Sequence, residues 1–531
     1  EDSLVHRSTW TLRYPSLEEP HISPHHLSFI IILTISHCKT TKQNRYPNPS
    51  RQDKRDLMFV VSSLRSALSL GSISSRSLAK SSLLSSLTRS ARSYAQVLDS
   101  IPKPGDEHYG VKHPDYDKFL SKRGRLYGPS AIRALQPLVS SPGMISLGGG
   151  MPNPDLFPFA GLQLRLKSGE TIDVDETLLR QALQYSPSDG LPELRDFLLN
   201  FQAFYHGHPQ DVSPPRAVCV TNGSQDGIAK AMEMFLDEDD SLLLENPTYS
   251  GTLAALRPLQ CNLVGVATDH EGLDPAHLRS ILESWPQEKK KPKVLYLIPT
   301  GQNPSGSSLS DRRRMDVYFL AREHDLLILE DDPYFFLQFA DWSERYLSLM
   351  SLDVDGRVIR FDSFSKVISG GMRLGWVTGP KTLVDRIQFQ EQATNLHASG
   401  LSQAVLLSLI DHWGAERLHE HLDKVANAYR ERRDLCVRLS EKYLTGLAEW
   451  RVPQAGMFLW YKIPGVEDTD KLIMEEALKN KVLMVPGGAF NPEGKATSYV
   501  RAAFSTASEQ DMEEAIKRFA GLLRTEKDRK R

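Results

Sequence analysis

The chain has 531 residues, of which 40% are apolar and 24% charged, with a formal net charge of -2. At roughly 100–200 residues per domain that length allows two or three domains with a large core, and so small a net charge gives no global field to recruit nucleic acid or a membrane surface. The 4 cysteines, Cys38, Cys219, Cys261 and Cys436, stand far apart with no Cys-x-x-Cys pair, which argues against a disulfide framework or a zinc site and suits a reducing compartment.

Residues 1–57 are polar, Pro-rich and irregular, as in "EEPHISPHH" and "KTTKQNRYPNPSRQDKRD". The run "FIIIL" is far shorter than the ~20 residues needed to span a bilayer. The first methionine is Met58, and no Asp or Glu occurs between it and Ala95, where Arg65, Arg76, Lys80, Arg89 and Arg92 are set among Ser, Leu and Ala. That composition is expected of a mitochondrial transit peptide over 58–94, and a disordered Ser-rich linker is the plainer reading. We expect translation to start at Met58, cleavage near Ala95 in "ARSYA", and residues 1–57 to be untranslated or disordered. The matrix is the expected location, with the cytoplasm as the alternative.

From Tyr109 onward apolar runs alternate with helical patterns, and five runs end in polar or Gly-rich clusters. "AVCV" leads into "TNGSQDG", "SLLL" into "ENPTY", "VLYLIP" into "TGQNPSG", "DLLILE" into "DDPY", and "RVIRF" into "DSFSK". Short apolar runs bounded by turn residues predict buried strands. Helical patterns lie between several of them: "IAKAMEMFL", with Ile228, Met232, Phe235 and Leu236 on one face, and Leu309–His324. Strand alternating with helix predicts an α/β fold with a mainly parallel sheet, whose ligands bind at the carboxyl ends of the strands. The clusters are therefore expected to face one site.

Each cluster also has a purely structural reading. Ser224, opening a helix, serves an anion site or simply caps the helix. Tyr249 is a stacking platform or core, and Asn303 is a site amide or a turn-former. Asp331 follows a buried strand directly, so its carboxylate needs a partner or its pKa rises. Lys366 at a strand end either snorkels outward or, desolvated, becomes a nucleophilic amine able to form a Schiff base. Ser363, Ser365 and Arg373 beside it suit a phosphate. A Schiff-base lysine, a phosphate nest and an acid for a pyridinium nitrogen together describe pyridoxal phosphate.

The stretches "MISLGGGMPNPDLFP", "ALQYSPSDG", "GSQDG", "ENPTYSGTL", "NPSG", "EDDPYFFLQF", "DSFSKVISGGMRLGW", "AGMFLW" and "YVRAAFS" follow in that order between about Gly128 and Ser505. In this order they resemble the fold-type-I, class I/II aminotransferases that depend on pyridoxal 5'-phosphate, and within them the kynurenine/2-aminoadipate and fungal aromatic aminotransferases. The resemblance implies a large α/β cofactor domain at 145–411, a small α+β domain at 412–531, and a segment at 95–144 serving the small domain and a substrate lid. It implies that Lys366 carries the cofactor and acts as general base, and that Asp331, chosen over Asp332 by its Asp-x-x-Tyr spacing to Tyr334, pairs with the ring nitrogen. Tyr334 and Asn303 then bond the phenolic oxygen and Tyr249 stacks on the ring. Ser224, Gln225, Ser363, Ser365 and Arg373 hold the phosphate. Arg501 grips the substrate α-carboxylate, and Gly150, Arg133 and Tyr185 line the pocket, with Tyr185 reaching the neighbouring subunit of a homodimer.

The implied reaction is ping-pong transamination from a large L-amino acid to 2-oxoglutarate, with no nucleic-acid or membrane partner. The same constellation serves a C–S lyase or a decarboxylase. An aminotransferase-like regulator needs a DNA-binding module, and no helix-turn-helix pattern precedes Tyr109.

Overall fold

Strands with apolar residues at every position are stable only where both faces of a sheet are covered. In the computed structural model the central strands meet that condition. It describes residues 113–529 apart from 136–137, 139–140, 146, 149 and 208–213, so the segment expected to be a transit peptide and the stretch before it lie outside the described residues.

A short hairpin, β1 (Gln163–Arg165) and β2 (Thr171–Asp173), precedes the main sheet. That sheet contains β3 (Arg216–Thr221), β4 (Ser241–Asn246), β5 (Asn262–Asp269), β6 (Gly272–Leu273), β7 (Val294–Leu297), β8 (Leu327–Asp331), β9 (Val358–Ser363) and β10 (Gly375–Pro380). It is 8-stranded, in the order β3-β10-β9-β8-β7-β4-β5-β6. The run from β9 to β5 is parallel, while β10 is antiparallel to both β9 and β3, and β6 is antiparallel to β5. β3 thus points the same way as β9, and the five polar clusters fall on one edge of the sheet.

Period-2 alternation sorts the strand side chains between two helical layers. Leu327 and Leu329 of β8, Val294 and Tyr296 of β7, and Ile359 and Phe361 of β9 pack on the face covered by α1 (Ser224–Phe235). Ile328, Leu295, Leu297 and Val358 pack on the opposite face, against α2 (Pro275–Glu283) and α3 (Asp311–Glu323). The residues assigned to the apolar face of the first helix, Ile228, Met232, Phe235 and Leu236, are all buried.

Beyond the sheet, α4 (Gly400–Leu444) is two helical segments joined at Gly414, whose backbone (φ 66, ψ 178) no helix contains. A 3-stranded sheet follows, with β13 (Tyr499–Ala503) between β11 (Phe458–Lys462) and β12 (Val485–Pro486), both pairs antiparallel. It docks onto the large sheet through the turns. A Cβ on Gly301 would lie 2.7 Å from the Ala455 carbonyl carbon, so the turn that carries Asn303 backs directly onto the chain entering β11. Among the described residues no helix is long and apolar enough to cross a membrane.

Candidate active site

The carboxyl edge of the parallel strands collects the groups expected there. Lys366 follows β9 in a single 3-10 turn and is half-buried. Burial holds its amine below the ordinary lysine range, Arg373 pushes the same way, and Asp331 opposes both. A lysine in that balance has more of the neutral, nucleophilic form than a surface lysine.

Asp331 ends β8 on the side-chain face that also carries Tyr296. Burial pushes its carboxyl up to about 7, with Asp332 and Asp362 adding to the rise. One oxygen, Oδ2, accepts from the Tyr296 hydroxyl at 2.6 Å, whereas Oδ1 is buried and has no partner. Asp332 points to the other face, where its Oδ2 accepts from Thr300 at 3.2 Å and from Arg360 at 3.0 Å. Arg360 also pairs with Glu330 and Asp362, at 3.1 and 2.8 Å. Alternation along one strand thus separates a structural ion cluster from the carboxyl that faces Lys366.

The expected phosphate side is built from two chain segments. Gly223 holds the N-cap position of α1, with φ 84, and no side chain caps this helix, so Ser224 is its first helical residue rather than its cap. Arg373, itself at φ 53 after the Gly370–Met372 turn, reaches back across this end. Its guanidinium donates to the Asn222 carbonyl and to the Gly370 carbonyl, both at 3.1 Å. Gly370 and Gly371 therefore belong to the turn that returns Arg373 to the helix end. A Cβ at Gly223 would lie 2.3 Å from Arg373 Nη2, which makes this glycine the clearance for the arginine. The Ser363 hydroxyl accepts from the Ser365 amide at 3.1 Å, Gln225 donates to the Gly251 carbonyl at 3.1 Å, and Gln225 Oε1 is buried without a partner. Open backbone donors at a helix start beside a guanidinium suit a phosphate dianion.

On the opposite side Arg501 lies mid-strand on β13. Its guanidinium is flanked by the rings of Phe458 and Phe490, 4.5 and 4.9 Å from their centroids, and donates to Asn303 Oδ1 at 2.8 Å. Burial pushes the Tyr334 hydroxyl upward and Asn303 pulls it back, and Tyr334 stands edge-on to Phe458. Tyr249 is half-buried; burial and the charge of Asp331 raise its hydroxyl pKa, while Arg501 and Arg373 pull it down. Gly251 leaves room for its ring: a Cβ there would meet Tyr249 Cε1 at 2.5 Å.

Three expected residues lie on the N-terminal segments of the described chain. Arg133 donates to the Ser186 carbonyl at 3.0 Å and lies 5.9 Å above the Tyr185 ring, which itself meets His397 edge-on. Tyr185 is 46% exposed, and Gly150 is exposed with open space where a Cβ would project. Within one chain, Arg133 and Tyr185 are brought to each other. Sequence reasoning passed over Tyr296, Phe458, Phe490 and Gly223. A tyrosine inside the apolar run "VLYLIP" was the available signal, because a buried phenol requires a partner.

The residue set fits pyridoxal phosphate on its own chemistry. Asp331 has an unpartnered oxygen, the Gly223 end forms a cradle with Arg373, and Lys366 is a desolvated amine. The family model for aminotransferase class I and II matches residues 169–519. A mouse (Mus musculus) protein named kynurenine/alpha-aminoadipate aminotransferase, mitochondrial, is 44% identical over 424 residues, 77% of this chain and 99% of the relative. The crystal structure of aminotransferase Aro8 from Candida albicans superposes with a TM-score of 0.71 at 27% identity, over 78% of this chain and 99% of that one. That of a Pyrococcus horikoshii kynurenine aminotransferase, solved with PMP, kynurenine and its product, gives 0.62 at 30% identity, over 78% and 98%.

Proposed function

We infer the substrate class from the family to which this chain belongs, the class I and II aminotransferases. The chain is an aminotransferase that takes the amino group of a large L-amino acid, 2-aminoadipate, kynurenine or an aromatic one, and passes it to 2-oxoglutarate in a ping-pong sequence. The name of a similar solved structure, the aromatic aminotransferase Aro9 from C. albicans, supports the aromatic donor, and the mouse relative's name supports the other two. Its word "mitochondrial" supports a matrix location for this chain as well.

Pyridoxal 5'-phosphate, when bound, supplies an electron sink conjugated to the substrate α-carbon. The protein's share is position and proton transfer. Ser224, Gln225, Ser363, Ser365 and Arg373 hold the phosphate, and Tyr249 covers one ring face. Asp331 keeps a proton at the ring nitrogen, while Asn303 and Tyr334 donate to the phenolic oxygen. Arg501 takes the α-carboxylate through a planar fork that a lysine lacks. The two phenyl rings beside its guanidinium limit its rotation. With the carboxylate held there, Lys366 Nζ would act as the general base that takes the substrate's α-proton. Closure of the segment around Arg133 and of the domain carrying Arg501 excludes water. Gly150, Arg133 and Tyr185 complete the substrate pocket across the interface of a homodimer. The domain division at 145–411 and 412–531 goes with this reading.

The observation that carries the proposal is the shared edge: five parallel strand ends bring Lys366, Asp331, Asn303 and the Arg373 cradle together, with valences left open at Asp331 Oδ1 and Arg501 Nε. The holoenzyme is expected to lose its visible absorbance band with each named donor and regain it with 2-oxoglutarate. Lys366→Ala should bind the cofactor without turnover. Wild-type turnover by that variant, or carbon dioxide or sulfide instead of a 2-oxo acid as product, overturns the assignment.

A further inference from the structure

We propose that Tyr296, backed by Thr252, is a positioning residue for Asp331: it occupies one carboxyl oxygen so that the other is presented to the cofactor's ring nitrogen. This rests on the site reading above and adds a part to it. Tyr296 lies in β7, fully buried between apolar neighbours, and its ring belongs to the core on the α1 face. A phenol in that setting must find a hydrogen-bond partner or lose the desolvation cost of its hydroxyl. It has two. The Thr252 hydroxyl donates to Tyr296 Oη at 2.8 Å, and Tyr296 Oη donates to Asp331 Oδ2 at 2.6 Å.

The direction of this chain matters. A hydroxyl has one proton to give, and because Thr252 donates into the phenol oxygen, the phenol proton is committed to Asp331. Thr252 is buried too and follows Tyr249 by one turn. The segment that carries the stacking ring therefore also anchors the carboxyl. With Oδ2 engaged, the carboxyl cannot rotate about its axis without breaking a short bond, and Oδ1, buried and unpartnered, is held in one direction. The phenol also favours the ionised carboxyl against the burial that raises its pKa. Its bond thus bears on where the proton shared by Asp331 and the ring nitrogen resides.

Tyr296→Phe keeps the ring and removes only the bond. Losing a hydrogen bond to a charged group of this kind is expected to weaken cofactor affinity about ten- to a hundredfold and slow the amino-donor half-reaction about tenfold. The donor's KM should change little, since Arg501 is untouched. With cofactor labelled at the ring nitrogen by 15N, the holoenzyme resonance should move toward the unprotonated form. Thr252→Val should move it the same way by less, and provides the test if Tyr296→Phe does not fold. A structural role alone lowers the melting temperature and leaves the resonance where it was, and that result overturns the proposal. Unchanged cofactor affinity and resonance in both variants overturn it as well, with the site reading intact. A wild-type protein that binds no cofactor overturns the site reading and this inference together.

Discussion

Glu245, the last residue but one of β4, has its side chain fully buried, its Oε2 accepting from the Ile298 amide at 2.8 Å and its Oε1 without a partner. Burial pushes its carboxyl up to about 8, and the charge of Asp331 adds to the shift. In the unfolded chain the same group titrates near ~4.3. Between those values the folded protein holds a proton that the unfolded chain has released, so stability falls as pH rises. The contribution is full below ~4.3 and is lost as pH passes upward through about 8. Glu245→Gln, the same shape without the titration, should show a flatter melting temperature between pH 6 and 9 than the wild-type apoprotein. Parallel melting profiles would count against a neutral Glu245. Sequence reasoning drew only Tyr249 from the motif "ENPTY"; the burial that sets the charge of Glu245 is absent from the string.

Among the elements, the start of α1 has the tightest construction. Its N-cap needs a left-handed backbone at Gly223, and Arg373 from the turn before β10 crosses within the space of the missing Cβ. Gly223→Ala would cost on the order of 1 kcal/mol from the backbone alone. The arginine tip is flexible, so it should swing aside and the fold should survive. The loss falls on the cradle: cofactor affinity, read by titrating the apoprotein, should drop about tenfold, the scale of one charge-assisted hydrogen bond. Wild-type affinity in that variant would mean that Arg373 takes no part in holding the phosphate. The helix itself was legible from the spacing of Ile228, Met232, Phe235 and Leu236. At its start the sequence left Ser224 between an anion site and a cap, and that Gly223 rather than Ser224 holds the N-cap follows from a φ only the structure reveals.

At the scale of the whole molecule, several large apolar side chains stand open among the described residues: Ile145 is 89% exposed and Leu147 98%, with Ile132, Leu138, Met144 and Leu156 also open. Large exposed apolar side chains are what an interface covers, and in the homodimer proposed above the second copy would cover them, together with Tyr185 and Arg133. Co-expression of Lys366→Ala with Tyr185→Ala should then give more activity than either parent, since one site in each mixed dimer regains both residues. Activity no higher than the parents' would place Tyr185 outside the neighbouring site. At this scale the division between sequence and structure becomes clear. Sequence by itself determined the α/β class, the polar strand ends and the lysine, because each is a local matter of apolar run length and turn residues. It left the direction of β10 open, since a strand buried on both faces is apolar whichever way it runs. Tertiary structure alone decided which groups meet. Asn303 and Arg501 bond across 198 positions of chain, and Tyr296 finds Asp331 across 35. Such pairs follow from strand order and from which face each residue takes, and the order of strands in a sheet is set by the packing of the whole chain.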